Sequence, residues 1–373
     1  MLKISHALVY PFSIDLKEAP LVVSKQGIRH TFTHRNGAHL VLKGGMPLVV
    51  GVGELVEPVF TLPGKNSEEI VAASVSELQL VRNALLGEEI DTTNFVPSLN
   101  RLMKKLGSCA VGSLFAVEQA LLRLIANAIN QSLFSVIQTW MEWPKNIIGN
   151  HCVHLNRLYA RDSRVDTARE NGAVHNSDVC IKLKIGGDPK VAAEQVNSIA
   201  LGHVLRLDAN QEWTLDGALE FIQLLNQHTI SSIEYFEEPV SDLIGDYSVL
   251  LKSPVLFAID ESLLCAGIED FIARESLVQI VYKPFLHGLR RNILKYVNRM
   301  TFTCTFETGI GLNFILSMAA ALGGMRPHGI HAWASMSDLH TEAFRSMFTT
   351  TETVVPVTTI NNYEKYIQDS FSK

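Results

Sequence analysis

VCIKLKIGG (residues 179–187), RLDANQEW (206–213), IEYFEEPV (233–240), LFAIDES (256–262) and IVYKPF (280–285) decide the fold of this chain. Each is a short apolar run that stops on a charge: Lys184, Asp208, Glu237, Asp260 and Lys283, spaced 23 to 29 residues apart. That spacing is the length of one strand, one crossover helix and two short loops. The apolar runs do not alternate, which suits strands covered on both faces, as in a parallel sheet. Helix-like segments lie between them, at 189–202 and 215–228. Repeated strand–helix units of this kind predict a (β/α) barrel. The C-terminal ends of barrel strands converge on one mouth, so five charges surround one small volume.

Charge chemistry then narrows the function. Three carboxylates close together repel one another and call for a cation. An all-oxygen donor set favours Mg²⁺ over Zn²⁺. The two lysines come from strands on either side of the carboxylates. A lysine beside a divalent cation is pushed toward its neutral form, and a neutral lysine removes protons. The combination suggests proton abstraction next to the carboxylate of a small-molecule substrate.

Every piece also has an ordinary structural role. Lys182-x-Lys184 puts both side chains on one strand face, and such pairs usually face solvent. Asp208-Ala209-Asn210 reads equally as an Asx-turn, and Asp260-Glu261-Ser262 as a helix cap. Glu237-Glu238-Pro239 is an ordinary strand end and Lys283-Pro284 a surface turn. Two facts favour the functional reading. Val179, Ile181, Leu183 and Ile185 occupy the face opposite the lysines, which turns the lysines into the barrel, and all five charges recur in order at barrel spacing. A histidine base is the usual rival, but the seventh strand end, Thr303-Cys304-Thr305-Phe306-Glu307, carries none. Of the 13 histidines, His328 and His331 stand near enough to the last strand to be candidates for the mouth.

Composition excludes other classes. With 47% apolar and 19% charged residues over 373 positions, the chain has the make-up of a globular protein with a large core. Net charge is −6, and the only basic clusters noted are the pairs Lys104-Lys105 and Arg290-Arg291, so no nucleic-acid partner is expected. The five cysteines form no CxxC pair and are read as reduced, mostly buried thiols. MLKISHALVYPFSIDL lacks the pattern of a signal peptide. The most apolar helical stretch, 110–128, contains Glu118 and Arg123 and reads as core, not as a membrane span. A cytoplasmic enzyme with no membrane partner is the expectation. Nothing in the sequence speaks to oligomeric state.

In chain order, residues 3–16 predict a strand and 17–33 a polar, irregular loop. Residues 39–43 and 48–54 form a hairpin around Gly44-Gly45-Met46-Pro47. A helix starts at Ser67, with Ile70, Val71, Ser74, Leu78, Val81 and Leu85 as its stripe. A short helix follows at 98–106. Ser108 is the expected cap of the next, where Leu114, Val117, Leu121 and Leu124 share a face. The expected domains are an α+β unit at 1–135 and a barrel at 136–344. A tail at about 345–373, extended and then helical, packs back on the first unit. The barrel strands are expected at 154–156, 179–184, 204–208, 233–237, 255–260, 279–283 and 301–307. A weaker eighth is expected at 329–333, with no helix of barrel length after it.

IKLKIG, RLDANQEW, EYFEEP, AIDES and VYKP in this order resemble the enolase superfamily, its muconate-lactonizing branch in particular. The resemblance covers residues 179–311 well. It extends more loosely to the N-terminal unit through VGVGELVEP and SLFAVEQALL. It implies an α/β fold: a modified TIM barrel, (β/α)₇β, under an N-terminal α+β capping domain. It implies Mg²⁺, with Mn²⁺ as a substitute, on Asp208, Glu237 and Asp260. Lys184 is implied as the general acid/base and Lys283 as the lysine across the site. Lys182 is expected to help hold Lys184 deprotonated by like-charge repulsion. Arg206, Asn210 and Glu261 are implied as orienting groups, and residues 17–33 as a loop closing over substrate. FETGIGL (306–312) is similar to the Glu-Ser/Thr-x-x-Gly pattern of the o-succinylbenzoate synthase subgroup, which makes Glu307 a candidate substrate contact. That subgroup implies Mg²⁺-dependent dehydration of 2-succinyl-6-hydroxy-2,4-cyclohexadiene-1-carboxylate through an enediolate, in menaquinone biosynthesis. The rivals are an N-acylamino acid racemase or dipeptide epimerase and, in another class, a non-catalytic barrel that keeps the metal site. HGIHAW departs from the subgroups: His331-Ala332-Trp333 stands where dipeptide epimerases carry Asp-x-Asp.

Overall fold

A computed structural model describes residues 1–16, 21–23, 29–31, 33–57, 67–143, 152–159, 180–199, 202–322, 326–330, 338–347 and 353–372. The N-terminal strand Leu2–Asp15, the hairpin His34–Gly44 and Val49–Val56, and the short Glu89–Ile90 form one antiparallel sheet. Gly45, at φ +82°, turns the hairpin, a backbone angle that glycine adopts without a Cβ clash. Helix Ser67–Leu85 buries Leu78, Val81 and Leu85 of the expected stripe. Most of the loop read at 17–33 lies outside the described residues. Within it, Leu21–Val23 and Arg29–Thr31 pair as a short antiparallel ribbon.

Val49–Val56 is an edge strand buried along its whole length, and helix Val111–Ala128 covers it. The fit follows from two periods. Four helical residues rise about 6 Å and two strand residues about 6.6 Å. Gln119, Arg123 and Asn127 therefore meet alternate carbonyls of the edge, donating to Glu54 O (3.0 Å), Val52 O (2.7 Å) and Val50 O (2.6 Å). An edge that would otherwise leave acceptors open is thereby satisfied. Glycines allow the approach: a Cβ on Gly53 would lie 1.7 Å from Ala116 O, and one on Gly51 2.0 Å from Ala120 O.

Helix Val111–Ala128 is long and apolar enough to cross a membrane, yet residues 115–126 are all buried inside the fold. The cap expected from Ser108 does not form; the Ala110 N–H donates to the Glu77 carboxylate (3.0 Å). On the helix, Glu118 accepts from the Leu289 backbone N–H, and its Oε2 is buried without a partner. Burial pushes this carboxyl up to about 8.

Seven parallel strands follow in ring order: Arg157–Tyr159, Cys180–Lys184, Val204–Asp208, Ile233–Glu237, Phe257–Ile259, Gln279–Tyr282 and Met300–Phe302. An eighth segment closes the ring through parallel bridges Thr303–Gly329 and Leu155–His328. Its bonds run both ways: Gly329 N–H to Phe302 O (2.8 Å), and His328 N–H to His154 O (2.7 Å). The eighth strand thus exists but is short, as its weak pattern predicts. A nine-residue helix, Leu339–Met347, follows it; it packs on helices Gly309–Leu322 and Val357–Ser372. The tail adds Val354–Pro356 to Cys152–His154 and lays its helix on the edge strand, where Glu364 pairs with buried Arg123 (2.9 Å).

Gly53→Ala is expected to destabilise the fold by at least about 2 kcal/mol, since the new Cβ meets helix backbone; urea unfolding checks it. Glu118 gives a pH signature. Between pH 4.5, its ordinary value, and about 8, the unfolded chain loses this proton and the folded chain keeps it. Stability therefore falls as pH rises through that window. Glu118→Gln removes the effect, so its gain in melting temperature over the parent should be small near pH 4.5 and grow toward pH 8. A constant offset would show that the carboxyl does not titrate there.

Candidate active site

Strand period two sends Lys182 and Lys184, Arg206 and Asp208, Tyr235 and Glu237 into the ring. Parallel register sets Lys184, Asp208 and Glu237 side by side at the C-terminal strand ends. Beneath them Tyr235, Ala258 and Val281 form a small buried cluster.

Lys182 Nζ donates to both carboxylate oxygens of Glu237 (2.7 Å each) and stands 3.0 Å from Asp208 Oδ2. Lys184 Nζ donates to Asn210 Oδ1 (2.7 Å) and lies 3.2 Å from Asp208 Oδ2. Lys283 bonds Asp260 and stands 3.7 Å from Glu261 Oε1. The lysines differ in access: the Lys184 side chain is 39% exposed, against 15% for Lys182 and 14% for Lys283. Lys184 is therefore the ammonium that a ligand entering the mouth meets first. Asp208 makes the Asx-turn read for it and also stands beside the lysines. Its Oδ1 closes an Asx-turn on the Asn210 N–H (3.1 Å), while its Oδ2 faces the lysines.

Four carboxyls (Asp208, Glu237, Asp260, Glu261) face three ammoniums here. Burial raises Asp208, but the charges of Lys182 and Lys184 overrule it and hold the group below the usual range. Burial, then the neighbouring Asp208, pushes Glu237 well up. Burial and Asp260 push Glu261 up to about 7. Asp260 Oδ1 and Glu261 Oε2 are buried without a donor. As the side chains stand, the carboxylates bond to lysines, and among the described residues no three Asp, Glu, His or Cys close as a ligand set. The surplus of negative charge, the oxygen-only donors and the orphaned Asp260 oxygen nevertheless fit a hard divalent cation.

Other expected residues sit elsewhere. Arg206 points into the ring two residues below Asp208 and is spent on Glu234 (2.7 Å) and Pro327 O (2.6 Å), with its guanidinium over the Tyr235 ring. It braces the floor and does not reach the mouth. Glu307 folds back on its own loop and accepts from the Thr305 N–H (2.5 Å) and Thr305 Oγ1 (2.8 Å). His328 is buried at the floor, accepting from the Phe302 N–H (3.1 Å); burial, then Arg206, lowers it to about 3. His331 and most of the 17–33 loop lie outside the described residues. Among the cysteines only Cys180 is buried and Cys265 is exposed, so the thiols are less enclosed than expected.

The sequence reading missed the grip of the N-terminal sheet on the mouth. Buried Arg35 donates to Thr305 O (2.6 Å) and Phe306 O (3.0 Å). Glu54 reaches across to accept from the Thr308 N–H (2.7 Å), the Thr308 hydroxyl and the Gly311 N–H (3.3 Å). It thereby caps helix Gly309–Leu322 from another element. Burial raises Glu54, but His39 and Thr308 hold it below the ordinary value. The available signal was a single carboxylate in the apolar run VVGVGELV.

Residues 167–359 match the family described as enolase C-terminal domain-like, about half of the chain. The chain belongs to the enolase superfamily. Its members are enzymes, and so is this chain. It is similar to the o-succinylbenzoate synthase of Enterobacter sp. (strain 638), 27% identical over 42% of this chain and 52% of that protein. The chain thus spans about half the length of the synthases it matches. It is also 25% identical to Protein PHYLLO, chloroplastic, of Arabidopsis thaliana, over 83% of this chain and 19% of that one. In fold it is similar to the dipeptide epimerase of Enterococcus faecalis V583 complexed with Mg and L-Leu-L-Tyr. That likeness has a TM-score of 0.73 at 20% identity, over 95% of this chain and 97% of that one. The muconate lactonizing enzyme of Pseudomonas fluorescens gives a TM-score of 0.68 at 16% identity, over 90% of each chain.

Thr308→Val keeps the shape and removes the hydroxyl that serves buried Glu54. Leaving that carboxylate one donor short should cost about 1–3 kcal/mol, read by denaturant unfolding at pH 7. A change near zero would show that Glu54 replaces the bond.

Proposed function

We propose that this chain is an o-succinylbenzoate synthase that dehydrates 2-succinyl-6-hydroxy-2,4-cyclohexadiene-1-carboxylate, a carbon–oxygen lyase of menaquinone biosynthesis. One observation carries the reading: Lys184 and Lys283 end the second and sixth strands of an eight-strand ring, so they oppose each other across Asp208, Glu237 and Asp260. The similarity to o-succinylbenzoate synthases supports this choice of substrate.

Mg²⁺, or Mn²⁺ in its place, would be held by Asp208, Glu237 and Asp260 and would supply positive charge against the dianion that forms on the substrate carboxylate. In its neutral form Lys184 takes the α-proton, with Asn210 orienting its Nζ. The electron pair left on the α-carbon forms the new double bond as the hydroxyl on the neighbouring carbon departs. The proton held by Lys184 goes with it, so water leaves and the lysine is restored. Lys283 works from the opposite face as a cation: burial lowers it, but Asp260 and Glu261 outweigh that and raise it. It stabilises the enediolate there. Lys182, clasped by Glu237 and Asp208, serves as a fixed counter-charge.

The same opposed lysines suit a second reading, racemisation or epimerisation of an N-acylated amino acid or dipeptide, in which one lysine removes the α-proton and the other returns one to the far face. Spectrophotometric turnover of the cyclohexadiene substrate separates the two. Turnover should need Mg²⁺, stop with EDTA and fall about 10²–10⁴-fold in Lys184→Ala, which should stay folded. A near-normal rate in Lys184→Ala rejects the assignment of the base. Absent dehydration, with solvent deuterium entering the α-carbon of an N-acylamino acid, moves the function to the second reading.

A further inference from the structure

Glu238 adjoins Glu237 but turns away from the mouth. It is fully buried, and its backbone is left-handed at φ +41°, a conformation that a non-glycine residue holds only at a cost in free energy. All of its acceptor capacity is engaged. Oε1 accepts from the Asp260 N–H and the Ser262 N–H (2.8 Å each). Oε2 accepts from Gln211 Nε2 (2.7 Å) and Ser262 Oγ (2.9 Å). Its main chain continues the link: the Gln211 N–H donates to Glu238 O (2.7 Å), and the Glu238 N–H to Ala258 O (3.1 Å). Gln211 is itself left-handed, at φ +62°.

The donors come from the strand ends that follow Asp208 and carry Asp260, and Glu238 itself follows Glu237. One carboxylate therefore ties together the three strand ends that present the three candidate cation ligands. Four filled acceptor positions leave it nothing with which to bind a ligand of its own. We infer that Glu238 is a positioning residue that fixes the spacing of Asp208, Glu237 and Asp260, and so sets the affinity of the site for a divalent cation. The inference rests on the cation site proposed above, and not on the identity of the substrate.

The test is Mn²⁺ titration of the metal-free chain, followed by electron paramagnetic resonance without substrate. In Glu238→Gln the amide nitrogen cannot accept, so two of the four bonds are lost. Binding should weaken about 10–100-fold, with an unchanged far-UV circular dichroism spectrum. Turnover should recover as Mn²⁺ is raised, which a general loss of packing would not give. Affinity within about two-fold of the parent in a folded variant overturns the inference. Should Glu238→Gln not fold, Ser262→Ala and Gln211→Ala each remove one donor; both must weaken Mn²⁺ binding, and unchanged affinity in both overturns it. A parent chain that binds no Mn²⁺ removes the cation site and this inference together. A parent that binds Mn²⁺ but does not dehydrate the cyclohexadiene removes only the substrate assignment.

Discussion

The crowding of buried charge at one end of the ring is the constraint on which the rest of the structure depends. Asp208, Glu237 and Asp260 are each almost wholly out of water. Charges so placed are tolerable only when partners stand within hydrogen-bond reach. Lys182, clasped between Glu237 and Asp208, is one such partner, and Lys283 against Asp260 is another. These pairs form only if neighbouring strands keep a register that brings their last residues to one level. Asp208 lies opposite both Lys184 and Glu237 in the parallel ladders, so the ladder is what makes the mouth electrostatically possible.

A ring of strands still needs its loops held. The loop after the seventh strand carries Phe306 at φ +65°, and its carbonyls are taken by Arg35 from the N-terminal sheet. Glu54, from the same sheet, caps the helix that follows. Helix Val111–Ala128 seals the edge of that sheet with Gln119, Arg123 and Asn127, and Arg123 also holds Ile310 O and Glu364. One arginine thus joins the edge strand, a barrel helix and the C-terminal helix.

Much of this was legible in the chain. The five strand ends and their charges stand where their spacing put them, because a fully buried parallel strand leaves an unbroken apolar run and a polar stop. Inward Lys182 and Lys184 followed from period two. The rest turns on physics that local pattern does not carry. Arg206 shares a face with Asp208, and face alone does not tell depth; its length takes its head down to Pro327. Glu307 looked like a mouth residue because its motif ends the seventh strand, but a left-handed Phe306 turns it back on Thr305. The partners of Glu54 lie some 250 residues away in sequence, beyond any periodicity.

Glu238 shows how a motif can hide a division of labour. In Glu237-Glu238-Pro239 the two carboxylates look interchangeable, yet one residue of left-handed backbone separates their directions. Glu237 faces inward to Lys182, where its charge is used; Glu238 faces the neighbouring loops, where its geometry is used. The strain at Glu238 and Gln211 makes sense only if something over-determines it, and four hydrogen bonds to two neighbouring strand ends do so. The same bonds fix where Asp260 begins its turn. The carboxylate that does not face the mouth is thus the one that links its three strand ends.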